Sequence, residues 1–163
     1  MHELYLFCHW LERTSLGSSI RDSLWEFPAI ETVHIFGIII LVGSTSILDL
    51  RMLGLAFRED PVSKLAHRYL PWTWSGFAIQ VVTGILLFSS EADKMYGNIA
   101  FRLKMLMIAL AGLNALVFHV TAYRSVGTWE NARVAPLSAR FAGTVSILLW
   151  FGIVAAGRWI AYV

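Results

Sequence analysis

Five side chains are set apart by their type and their surroundings: Glu31, His34, His67, Lys104 and His119. Each lies in or beside a long apolar run. An ionisable group there is costly and turns toward a protein interior or a polar cavity. An imidazole in such a place can ligate a metal, relay a proton or tie one helix to another. Glu31 precedes His34 by three residues, one helical turn away on the same face. A carboxylate so placed can fix the tautomer of the ring or accept its proton. That face continues through Leu41, Thr45 and Asp49. Around His119, counting back by turns, stand Ala115, Gly112 and Met105, and the two small residues leave room for a flat macrocycle. Lys104 opens the same run and can pair with Glu31 or with a haem propionate. Plainer roles compete: a histidine satisfied by a neighbouring helix for His34 and His119, a headgroup-facing residue for His67.

The donor set favours haem over a closed metal site. Structural zinc needs about four converging donors, whereas the histidines here are spread along the runs. The single cysteine, Cys8, lies outside them and cannot form an internal disulfide. Haem needs one or two axial ligands and apolar walls. The expected cofactor is haem b, in one or two sites, although no CxxCH attachment motif is present.

These residues must be positioned by helices in a bilayer. Apolar residues make up 57% of the 163-residue chain and charged residues only 15%, against about 25% charged in soluble domains. Four runs reach the roughly 20 residues that a spanning helix requires: about 28–50, 71–88, 102–123 and 140–162. The second can begin earlier, at Pro61, with a kink at Pro71; His67 then lies on it, on the same side as His119, with Trp74 two turns further on. Residues 1–27 mix apolar and charged positions and lack the basic start and continuous apolar core of a signal peptide. They read as one or two amphipathic helices in the interface, with a break near Gly17, Ser18 and Ser19. The fold class is therefore all-α: an integral-membrane four-helix antiparallel bundle forming a single domain over 1–163. Short loops should make sequence neighbours spatial neighbours, and recurring Gly, Ala and Ser residues should let the helices approach closely.

Basic residues set the orientation. Arg51, Arg58, Lys64 and Arg68 mark the first linker and Arg124, Arg133 and Arg140 the third; in the second, Lys94, Arg102 and Lys104 are accompanied by Glu91 and Asp93. The bias places linkers one and three in the cytoplasm and both termini on the outer, periplasmic side. The first and third spans then run in the same direction, with His34 near the start of one and His119 near the end of the other. They should differ in depth by roughly 15–20 Å, too far to share one iron. One haem would use His119, with or without His67, on the inner side. Another would rest against His34 on the outer side.

The runs ETVHIFGIIILVGSTSILDLRMLG, LPWTWSGFAIQVVTGILLF and FRLKMLMIALAGLNALVFH resemble an uncharacterised family of small four-helix bacterial inner-membrane proteins. His34 early in the first span, Lys104 opening a later one and His119 toward its end also bear a fainter similarity to the haem-binding membrane protoporphyrinogen oxidase. A weaker similarity links the chain to copper-resistance-type membrane domains. The similarity to the oxidase implies haem b binding and electron transfer; the segment STSILDLRMLG does not reproduce its basic and tyrosine-rich pattern, and porphyrinogen oxidation is not expected.

The leading expectation is a bacterial inner-membrane haem b protein passing electrons from a quinone or a soluble or membrane-bound partner. The alternatives are a non-catalytic membrane subunit or small-solute carrier, and a copper- or zinc-binding membrane protein using His34, His67 or His119. No hydrolase or transferase motif and no nucleic-acid-binding array is present. Apolar outer faces suit lipid and a homo-oligomer.

Overall fold

Runs of Ile, Leu, Val and Phe without interior charge leave the backbone to satisfy its own hydrogen bonds, and in lipid a helix is how a single segment does so. The computed structural model of the protein describes residues 2–132 and 134–163, without the side chains of His2 and Leu4; Arg133, counted above in the third linker, lies outside the described residues. Two short helices, α1 (His2–Glu12) and α2 (Ser15–Asp22), precede α3 (Glu26–Leu53), α4 (Val62–Ser90), the short α5 (Ala92–Gly97), α6 (Ile99–Val120), the single turn α7 (Val126–Trp129) and α8 (Leu137–Trp159). Among the described residues four helical stretches, built on α3, α4, α6 and α8, are long and apolar enough to cross a membrane.

The limits of these helices follow from local chemistry. Gly54 ends α3 in the left-handed conformation, φ 70°, and the Leu55 N–H donates back to the Leu50 carbonyl at 3.0 Å, a glycine-terminated Schellman stop. Asn98 caps α6 by accepting the Phe101 N–H at 3.0 Å. The second span begins at Val62 rather than 71, and Pro71 lies inside it. Proline removes one ladder bond, a loss tolerated here because α3 packs along the helix on both sides of that position.

The break between the first two helices falls at Arg13 and Thr14, not at Gly17–Ser19. Thr14 caps α2 by accepting the Gly17 N–H. Gly17 serves packing instead: a Cβ there would lie 2.6 Å from the Ser89 carbonyl oxygen at the end of α4. Tyr5, Leu6, Phe7, Trp10, Leu16, Leu24 and Trp25 remain exposed, the outward apolar face of an interfacial segment.

Helix α3 lies along α4, α6 along α8, and α3 meets α8; α4 and α6 form no comparable interface. Sequence neighbours are thus spatial neighbours twice, and the α4–α6 pair departs from the rule. Short α5 joins them, and the Phe88 and Phe101 rings stack at 5.4 Å beside it.

Glycines decide where helices touch. A Cβ on Gly76 would come within 2.7 Å of the Leu41 backbone nitrogen, and one on Gly37 within 2.7 Å of Ile79. Gly143 abuts Asp49, and Gly152 abuts Met107. Gly43 and Gly112 face open space instead, so small size does not mark a helix contact there.

Polar links add to this packing. Ser44 and Thr73 share a hydrogen bond at 2.9 Å, Ser146 donates to Asp49 at 2.7 Å, and Asn114 donates to the Ala142 carbonyl at 2.9 Å. Interhelical bonds of this kind contribute on the order of 0.6–2 kcal/mol each.

At the end of the bundle away from the N-terminus, Arg51 is 1% exposed. Its Nε donates to the Asp60 carbonyl at 2.7 Å and its Nη2 to the carbonyls of Glu130 and Ala132 at 2.9 and 3.2 Å. Arg51, counted from the sequence among the basic residues of the first linker, is therefore a buried clamp between the two connecting loops. Beside it Met52, Ala122, Ala135 and Ala139 form a small core covered by Phe118 and Trp129.

Candidate functional site

His34 sits eight residues into α3, about 12 Å from its start, and its ring turns toward α4. The ring Nδ1 lies 2.7 Å from the Thr83 hydroxyl oxygen. That hydroxyl donates its only proton to the Ile79 carbonyl, one turn earlier, at 2.5 Å. With that proton on the carbonyl, Thr83 accepts from Nδ1–H of the ring, the arrangement in which a neutral imidazole leaves Nε2 unprotonated. The Gln80 amide donates to the His34 backbone carbonyl at 2.5 Å, holding α3 and α4 in register at this level. Gly84 leaves the far edge of the ring uncrowded, since even a Cβ there would stand 3.6 Å from His34 Cε1.

Lys104 reaches the same level from α6. Its side chain runs along Gly157 of α8, where a Cβ would lie 3.5 Å from Nζ. Among the described residues Lys104 makes no ion pair. The inward face of α6 carries Ala100, Lys104, Met107, Ala111, Asn114 and Phe118, at three- and four-residue spacing.

The other expected site residues fall elsewhere. Glu31 is exposed on α3; Thr83, not Glu31, orients the imidazole, because the ring turns into the α3–α4 contact while the carboxylate one turn earlier stays outside it. His119 follows the inward row of α6 by one residue and is exposed, its ring stacked on Tyr123 at 5.2 Å. The face expected to cradle a macrocycle inside the bundle is therefore turned outward, with Gly112 and Ala115 also exposed. His67 lies on α4 as the earlier start required, and it too is exposed. Asp49 is buried against α8 and serves as a helix link. Among the described residues no three His, Cys, Asp or Glu side chains gather as metal ligands. Thr83, Gln80 and Arg51 are the residues that sequence reasoning missed. Gln80 carried a signal, as the lone side-chain amide in the run GFAIQVVTGILLF; Thr83 did not.

The short helices cover this end of the bundle. His9 Nδ1 and Asp93 Oδ2 stand 2.7 Å apart, joining α1 to α5. Glu12 accepts the Asp93 N–H at 2.8 Å and the Arg21 guanidinium at 2.9 Å. Bonds to Asp22 and Glu12 hold Arg21 above its ordinary pKa. Burial, reinforced by the negative charge of Asp93, raises the Cys8 thiol above its usual value.

The model of one protein family, described as a family of unknown function (DUF6644), matches residues 7–163, and the chain belongs to that family. No curated protein and no solved structure matches it. The family fits the overall resemblance read from the sequence, while no specific resemblance to haem- or copper-binding families is shown.

Proposed function

We propose that this protein binds haem b in the bacterial inner membrane and takes part in electron transfer, with His34 as an axial ligand through Nε2 and Lys104 as the counter-charge for a propionate. The observation that carries this reading is the His34 ring held on Thr83 through Nδ1 with Nε2 unengaged, in a bundle where Lys104 makes no ion pair among the described residues. A ligating histidine ordinarily donates its other N–H to an oxygen, which sets the ring and strengthens the ligand, and Thr83 occupies that position. Haem supplies one-electron chemistry when bound. The chain's part is to hold the ring, present one positive charge and exclude water with apolar walls.

The donor set supports haem more than copper or zinc, because one imidazole suffices for the former and the described residues gather no cluster for the latter. Any second haem at His119 or His67 would draw part of its walls from another copy of the chain, since both rings face outward. Electrons would come from a quinone or a soluble or membrane-bound partner. The exposed Arg58, Lys64, Arg68, Arg124 and Arg140 support placing the connecting loops in the cytoplasm and both termini in the periplasm.

A visible spectrum of the detergent-purified protein, oxidised and then reduced, tests the proposal. A Soret band that sharpens into alpha and beta bands on reduction is expected, with haem content falling in His34→Ala and unchanged in His2→Ala. A colourless product from haem-replete cells refutes it. The interhelical links at Ser44, Asp49 and Asn114 favour a second reading, a non-catalytic membrane subunit whose bundle closes without a chromophore; a partner co-purifying at fixed stoichiometry with no Soret band would select it. A carrier with a helix broken near the midplane is disfavoured because α4 continues through Pro71.

A further inference from the structure

On the outer face of the α3–α4 pair, far from His34, lies an open groove of about 250 Å³ lined by Ile39, Ile40, Gly43, Ile47, Tyr69 and Trp72. Its floor is Gly43, where a Cβ would touch nothing within 4 Å. Ser44, also on the floor, has its hydroxyl engaged by the Leu41 carbonyl and by Thr73. The walls are mainly hydrocarbon, with the Tyr69 hydroxyl and the Trp72 indole N–H as their remaining polar groups. One end is different. The Arg68 guanidinium lies over the Tyr69 ring, 5.7 Å from its centroid. Arg68 is one helical turn before Trp72 on α4, so the charge, the ring and the indole form one line running from the membrane surface inward. Nearby cations are engaged: Lys64 pairs with Asp60 at 3.0 Å, and Arg58 donates to the Gly54 carbonyl. Among the described residues Arg68 has no acidic partner.

We infer that this groove holds one anionic phospholipid, its phosphate on Arg68 and one acyl chain laid over Gly43 between Ile39, Ile47 and Trp72. A guanidinium matches phosphate oxygens in two-point geometry. Charge complementarity therefore selects the headgroup while the groove selects the chain, and the pair distinguishes this lipid from the general annulus. The inference is independent of haem.

Native mass spectrometry of the full-length protein in neutral detergent, titrated with phosphatidylglycerol or with phosphatidylcholine of the same chains, tests it. One phosphatidylglycerol should remain bound at activation energies that strip phosphatidylcholine. Gly43→Leu projects into the groove from a position where a Cβ meets nothing within 4 Å and should weaken that adduct about tenfold, while Arg68→Gln should bring the two lipids to equal retention. Circular dichroism melting of both variants verifies that the fold persists. Equal retention of the two lipids by the wild type, or an adduct unaffected by Gly43→Leu, overturns the inference. Loss of a protein dimer in Gly43→Leu with lipid retention unchanged also overturns it and assigns the groove to a second copy of the chain.

Discussion

Replacing Gly76 by alanine probes the contact that sets the candidate site. The added Cβ would stand 2.7 Å from the Leu41 nitrogen and 3.0 Å from its Cα and Cβ, whereas carbon contacts settle at about 3.5–4.0 Å. The obstructing atoms are mostly backbone, so neither partner can rotate away, and α3 and α4 must separate by something near 0.5–1 Å. A gap of that size forfeits about a quarter to a half of the dispersion energy of the facing atoms, and overpacking of this kind costs about 1–3 kcal/mol. Alanine returns up to about 1 kcal/mol through its higher helix propensity. The net loss is therefore about 1–2 kcal/mol. The Ser44–Thr73 and His34–Thr83 bonds, at 2.9 and 2.7 Å, bridge the same two helices on either side of this contact, and both lengthen with the separation. Reversible unfolding in mixed micelles, followed by circular dichroism, gives the stability; the Gly43→Ala protein is the control, because its new methyl meets open space. Gly43→Ala should match or exceed the wild type while Gly76→Ala falls below it. Equal stability of the two variants would refute the reasoning that ties the α3–α4 spacing to Gly76.

Three further outcomes are expected. Thr83→Val removes the acceptor for His34 Nδ1–H while preserving shape, and haem affinity measured by titration of the apoprotein should fall about 10–100-fold, as loss of an outer partner does at other ligating histidines. Arg51→Lys cannot span the carbonyls of Asp60, Glu130 and Ala132, and with hydrogen bonds to charged groups contributing about 1.5–3 kcal/mol each, trypsin should cut the 54–61 loop faster in detergent than in the wild type. The raised Cys8 pKa keeps its thiol protonated, so the rate of iodoacetamide labelling should climb only at a pH above that of an unburied cysteine; Asp93→Asn removes a negative charge that disfavours thiolate and should move the rise back toward lower pH.

The four helices were legible because each apolar run exceeds what a bilayer requires and no competing structure satisfies its backbone there. Their pairing was less so. Alternating direction is implied by short loops, but α4 and α6 make no comparable interface, and they are joined by α5, a six-residue helix whose sequence ADKMYG reads as a turn. His34 and Lys104 were identified correctly as inward groups, since an imidazole and an ammonium in lipid have few alternatives. His119 was placed inward for the same reason, and its position one residue beyond Phe118 takes it off the packed row. That single-residue phase is beyond what a hydrophobic pattern can fix when every face of a helix is apolar, as on α6. Thr83 is invisible for a related reason: a threonine in an apolar helix commonly bonds its own preceding turn, as Thr32, Thr45 and Thr144 do here, and only the partner across the interface distinguishes it.

The polar groups within the spans divide into two kinds, and the division carries the functional reading further than any one contact. Ser44, Asn114 and Ser146 meet complementary groups on the next helix, and each such bond explains its residue by helix association alone. His34 Nε2 and Lys104 Nζ do not: the lone pair has no donor and the ammonium no anion among the described residues. Lys104, five residues into α6, packs along Gly157 of α8 and makes no ion pair among the described residues. The bond to Thr83 orients the His34 ring, and that from Gln80 to the His34 carbonyl holds the backbone at the same level. His34 Nε2 and Lys104 are thus the span groups that helix association among the described residues leaves unengaged.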